Sequence, residues 1–180
     1  MNRNITGAIV GGVIVFMYQF LSWSLINFHK GEQLYTPSQD SILAYLESSL
    51  PGEGSYFLPT SPPDASMEDQ QKMMENNAGK PWAQIHYHKS MNTNMGMAMT
   101  RGLITDIVAV FLLCLLLGQL QDKSMKNTVQ VSIGVGVIGY LTTTYTNSIW
   151  FEFDSLPYLA DAVLTWLFCG LWLGFWLNKS

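Results

Sequence analysis

Apolar residues gather into four runs that are almost free of charge. ITGAIVGGVIVFMYQFLSWSLINF (5–28) and VQVSIGVGVIGYLTTTYTNSIW (129–150) carry none. GLITDIVAVFLLCLLLGQL (102–120) carries only Asp106, and YLADAVLTWLFCGLWLGFWLN (158–178) only Asp161. Each is about 20 residues long, enough for an α-helix to cross a hydrocarbon layer ~30 Å thick. Helices suit that setting because every backbone group is bonded within the segment. The pattern predicts four transmembrane helices. The first run follows Arg3, as the apolar stretch of a secretory leader would. It is too long for one, and no small-residue cleavage site follows in LSWSLINFHK, so it reads as an uncleaved anchor.

Between the first two runs the pattern changes. Thr36-Pro37 reads as an N-cap followed by proline in the first helical turn. SQDSILAYLESSL then places Ile42, Leu43, Leu46 and Leu50 on one helical face, and Pro51-Gly52 stops it. SYFLP (55–59) is a short strand candidate, and TSPPDA is a turn. Ser66-Met67-Glu68-Asp69 resembles a capping box for a helix ending near Asn76, with Gly79 as its stop. WAQIHYH (82–88) alternates as a strand would. The fold class is an all-α membrane bundle of four transmembrane helices, with a small α+β extracytoplasmic domain inserted between helices 1 and 2. The expected division is 1–28 for the N-terminus and helix 1, 29–100 for the inserted domain, and 101–180 for helices 2 to 4 with short loops.

Charge adds a direction to this picture. Only 12% of the 180 residues are charged, against about a quarter in a soluble domain. Residues 29–100 hold eight acids and four bases, and the remainder of the chain is neutral. No basic face exists for nucleic acid. Arg3, Lys123, Lys126 and Lys179 fall on one side of a four-fold threading, and the acidic stretch WFEFDSLPYLAD (150–161) on the other. The positive-inside rule then places both termini in the cytoplasm of a cell with this protein in its membrane, as in a bacterial inner membrane. Residues 29–100 face outward, with Trp150, Phe151, Phe153 and Tyr158 at the outer interface.

Three groups of residues carry candidate chemistry. His86 and His88, one residue apart in an extended strand, project to the same side. With Met95, Met97 and Met99 close behind, they suit a soft metal, and copper is the candidate cofactor. Methionines at such spacing also serve as ordinary helix packing. A second group lies at membrane depth. Gln19, Asp106, Asp161 and the helix-3 stripe of Tyr140, Thr143 and Asn147 all fall in the outer half of their helices. Ionisable groups there usually face a bundle interior or water, which suggests an outward-facing polar cavity for a small solute, an ion or a proton. His29, just beyond helix 1, reads as solvated or as a contact to the inserted domain.

The third group is glycine. Gly7 and Gly11, and Gly170 and Gly174, are small-xxx-small pairs that let helices approach closely. They suit a tight bundle, self-association or docking to another membrane-protein subunit. Catalytic signatures are missing: there is no G-x-S-x-G, no H-E-x-x-H and no phosphate-binding loop. No histidine sits within the four runs to ligate a haem. The leading expectation is a non-enzymatic accessory or scaffold subunit of a larger membrane complex. Extracytoplasmic copper handling and a small transporter or channel are the alternatives.

Overall fold

The computed structural model of the chain describes residues 3–178, so Lys179 lies outside them. It is mostly helical. The elements are α1 (Arg3–Leu21), α2 (Gln39–Ser49), β1 (Gly54–Leu58), α3 (Met67–Asn77), β2 (Ala83–Tyr87), α4 (Met95–Gly118), α5 (Met125–Tyr140), α6 (Thr146–Phe151) and α7 (Leu156–Asn178). Two π-helical turns, Ser22–Ile26 and Leu141–Tyr145, extend α1 and join α5 to α6. Two compact units result: a helical one through Leu34 and from Asn94 onward, and an α+β one over Tyr35–Thr93.

In the α+β unit the order helix, strand, helix, strand appears as the pattern implies. β1 and β2 pair antiparallel, with Gly54 opposite Tyr87 and Leu58 opposite Ala83. Ser66 caps α3, its Oγ accepting from the Asp69 N–H at 3.1 Å and donating to Asp69 Oδ2 at 2.7 Å. Gly79 follows with φ +74°, the left-handed turn that glycine adopts without strain. The start of α2 differs from expectation. Thr36 Oγ1 accepts instead from the Ser38 N–H, and the helix begins at Gln39, beyond Pro37. β2 ends at Tyr87, so His88 lies outside the strand that would align it with His86.

In the helical unit three stretches are long and apolar enough to cross a membrane: Arg3–Ile26, Met95–Gly118 and Leu156–Asn178. The fourth expected span is not among them. Its helix starts polar, at Lys126, Asn127 and Gln130, and its far end is the hydroxyl-rich LTTTYTNS. The π turn over Leu141–Tyr145 also shifts the phase of that helix. Tyr140 is buried, whereas Thr143 and Asn147 are exposed, so the expected polar stripe does not hold together.

The helices pack in the order α4, α1, α7, α5. Ala8, Val15, Val110, Leu113, Cys114, Leu117, Cys169 and Leu173 form the core. Both cysteines are free thiols buried in it. Glycine sets the spacing. A Cβ on Gly12 would stand 2.7 Å from Ile107 Cα, and one on Gly136 would stand 2.7 Å from the Ala162 carbonyl. These are backbone contacts, which side-chain movement cannot relieve. Arg3 donates to the Trp176 carbonyl at 2.7 Å, so the start of α1 meets the end of α7.

Replacing Gly12 by Ala should force α1 and α4 apart and lower stability in detergent by about 1–3 kcal/mol, the usual cost of overpacking. Gly134→Ala, where an added Cβ meets nothing within 4 Å, should change it by less than about 0.5 kcal/mol. Thermal unfolding of the two variants checks this, and equal midpoints would contradict the packing described.

Candidate functional site

The polar chemistry of the helical unit concentrates where α1 ends and α7 begins. The π turn carries α1 to Ile26, and Asn27 takes the left-handed conformation, φ 57°, its N–H capping the Ser22 carbonyl. This reverses the chain and returns His29 onto the first turns of α7. His29 is only 2% exposed, so it is not solvated.

Its ring lies between two carboxylates. Nε2 is 2.8 Å from Asp161 Oδ2, and Nδ1 is 2.7 Å from Glu32 Oε1. Asp161 Oδ1 accepts from Ser22 Oγ at 2.6 Å and from the Tyr18 hydroxyl at 3.2 Å. The Tyr158 hydroxyl donates to Glu32 Oε2. Trp23 stacks on the imidazole with centroids 4.0 Å apart and planes within 6°, and Tyr158 meets the same ring edge-on at 4.7 Å. Each helix supplies its pair at one-turn spacing: Tyr18 and Ser22 at i, i+4 on α1 and its π-helical extension, Tyr158 and Asp161 at i, i+3 on α7. His29 and Glu32 repeat that spacing in the loop.

An imidazole that meets a carboxylate at each nitrogen is suited to carry a proton on both. Burial works to lower the His29 pKa. The hydrogen bonds to Asp161 and Glu32, together with their negative charge, outweigh it, and the net shift is upward from 6.5.

Beside this centre opens a groove of about 810 Å³. α1 contributes Gln19 and its π-helical extension Trp23, α4 contributes Ala98 and Met99, and α7 contributes Tyr158 and Asp161. Gln19 Nε2 also reaches Asp106 Oδ1 at 3.4 Å. Asp106 is 7% exposed, and its buried Oδ2 has no hydrogen-bond partner among the described residues.

The expected cavity residues therefore divide. Gln19 and Asp161 share the groove wall, and Asp106 joins through Gln19. Tyr140 bonds Ser155 at 2.9 Å, Thr143 bonds the Gly139 carbonyl at 2.6 Å, and Asn147 is exposed. The expected metal residues divide as well. His86, His88 and Met91 line a separate groove of about 820 Å³ within the α+β unit, where Ser55 Oγ lies 2.8 Å from His86 Nδ1. Met95, Met97 and Met99 belong to α4 in the other unit, all exposed, with Asn94 capping that helix at the Met97 N–H. Among the described residues, no group of three or more His, Cys, Asp or Glu side chains is arranged to hold a metal ion.

The glycine pairs are filled from within. Gly7 faces Leu173 and Trp176, Gly11 faces Val110 and Trp172, Gly170 faces Ser132, and Gly174 faces Met125. Sequence reasoning missed Glu32, Tyr18 and the role of His29. Their one-turn pairings in Y-x-x-x-S, H-x-x-E and Y-x-x-D were present as a signal. Nothing in the local pattern, however, says that three such pairs converge. No protein-family model, curated protein or solved structure matches this chain, so the functional reading rests on the site's own chemistry.

Because the His29 pKa is higher in the folded protein than its ordinary value, the charged ring favours folding. That contribution is complete below about pH 6.5 and is lost as pH rises through the raised value. His29→Ala should lower stability by about 3–5 kcal/mol at pH 6, since two carboxylates lose their shared partner. The deficit should shrink toward alkaline pH. Thermal unfolding of parent and variant from pH 5.5 to 9 checks it, and a deficit independent of pH would contradict the charged-ring account.

Proposed function

We propose that this chain is a non-catalytic, multi-pass membrane protein that receives a small solute from the extracytoplasmic side, in the groove between α1, α4 and α7. One observation carries the reading. Asp161, the single charged side chain on the groove wall among the described residues, sits in a helix long and apolar enough to cross a membrane and is held by Tyr18, Ser22 and His29. Ionisable groups at membrane depth are costly and mark solute or ion pathways. Hydrogen bonds there also fasten helices, at about 0.6 kcal/mol each, but a fastener requires no groove beside it. A solute site is preferred over a purely structural accessory subunit because the glycine pairs that would dock a partner are occupied by the chain's own side chains.

The direction of packing supports a fourth crossing. Gln19 meets Asp106 and Gly11 meets Val110, so α4 runs antiparallel to α1. Arg3 meets Trp176 and Ser22 meets Asp161, so α7 is also antiparallel to α1. The chain leaves α4 at the Arg3 end and re-enters α7 at the His29 end. The helical run from Met125 to Phe151 makes that return, its Met125 beside Gly174 and its Tyr140 bonded to Ser155. Lys123 and Lys126 then share an end with Arg3. The positive-inside rule makes that end cytoplasmic, with both termini there and the His29 end facing out of a bacterial inner membrane.

Cysteines placed at Ala98 and Ala162, on the groove wall, test this. A membrane-impermeant maleimide added to intact cells should label both far faster than a cysteine at Phe168, an exposed position mid-helix. The native thiols of Cys114 and Cys169 are buried and should stay silent. Labelling of Ala98→Cys and Ala162→Cys only after the cells are opened would reverse the orientation. No labelling in either case would mean that the groove holds lipid rather than water.

A further inference from the structure

We propose that this groove takes a small organic cation, an ammonium group on an apolar body, with Asp161 as its counter-charge and Trp23 as one wall. The proposal rests on the solute-site reading above and names the class of solute. The composition of the wall favours a cation. Phe16, Phe20, Trp23, Tyr158 and Trp166 supply aromatic surface, and among the described residues Asp161 supplies the only charge, with no Lys, Arg or His lining the groove. Aromatic faces around one carboxylate attract a cation through the ring quadrupole and the charge together. An anion would meet repulsion from Asp161, and a neutral solute would gain nothing from its charge.

Charge behind the wall acts in the same sense. One imidazole sits between two carboxylates, so the centre keeps a net negative charge even when the ring is protonated. Below it lies a third acid, Asp106, whose Oδ2 has no partner among the described residues and whose Oδ1 is reached through Gln19 on the groove wall. The aromatic wall is also preorganised. Trp23 is stacked on His29, yet 43% of its surface is exposed. Its position is held on one face while the other is available. At about 810 Å³ the groove falls within the range of roughly 300–1,000 Å³ typical of small-molecule sites.

The same ammonium chemistry has two sources at the edge of a bilayer: a free amine, or the headgroup of phosphatidylethanolamine. Calorimetric titration of the whole protein in phosphatidylglycerol nanodiscs should show binding of phenethylammonium but not of its uncharged counterpart 2-phenylethanol, nor of phenylacetate. Trp23→Leu, at a partly exposed position, should weaken binding about tenfold, and Asp161→Asn should abolish it. If Asp161→Asn fails to fold, the Trp23 variant and the three probes still decide. Added phosphatidylethanolamine that competes with phenethylammonium in parent discs assigns the site to the lipid headgroup, and unchanged affinity assigns it to a free amine. Equal binding of 2-phenylethanol, or no binding of phenethylammonium, overturns the cation assignment. The solute-site reading stands or falls separately, on the maleimide labelling of the groove.

Discussion

A carboxylate placed a turn and a half inside a helix apolar enough to cross a membrane must find partners, and the end of this bundle is organised around supplying them to Asp161. Water is scarce at that depth, so an unmatched charge is costly. Asp161 receives hydroxyls from Tyr18 and Ser22 and an imidazole from His29. The imidazole is itself matched on its far side by Glu32, and Glu32 by Tyr158. Each acceptor brings in a donor from another segment. The requirement of one side chain thereby ties together α1, the loop after it and the start of α7.

The backbone serves the same demand. An α-helix continued past Leu21 would carry the chain onward. The π turn and the left-handed Asn27 end the helix and reverse it, returning His29 to α7. π turns recur at functional positions because they re-aim side chains within a helix. At the opposite end, Arg3 and Trp176 exchange hydrogen bonds with each other's backbone, pinning α1 to α7 there as well. Glycine permits both. Without the close approach at Gly7, Gly11 and Gly12, α1 could not meet α4 and α7 at a distance where short side chains such as Ser22 reach across.

The proposed function rests on what is left open. The network closes around Asp161 on three sides, and the remaining side is the groove between α1, α4 and α7. In the proposed reading, the retained negative charge sets the sign of the solute and the rings favour a diffuse cation over a strongly hydrated one.

Much of the architecture is legible from pattern alone. Length and freedom from charge pick out four runs, of which α1 with its π-helical extension, α4 and α7 form helices long and apolar enough to cross a membrane, while 129–150 does not. Turn residues and periodicity mark out α2, β1, α3 and β2, because those signals are local and each element expresses its own segment. Gln19, Asp106 and Asp161 stand out because an acid or amide in an apolar run is costly unless it meets a partner or water. The stripe of Tyr140, Thr143 and Asn147 does not form, because it requires an unbroken helical period and a π turn interrupts it. His29 and Glu32 could not be placed, since a histidine just beyond a helix looks the same whether water or a carboxylate receives it. Sequence by itself determined which helices are long and apolar enough to cross a membrane, and which side chains would be costly there. Only the tertiary structure decided which of them meet, because that depends on helix spacing and chain reversal, set by contacts between residues far apart in the chain, such as Ser22 with Asp161 and Gln19 with Asp106.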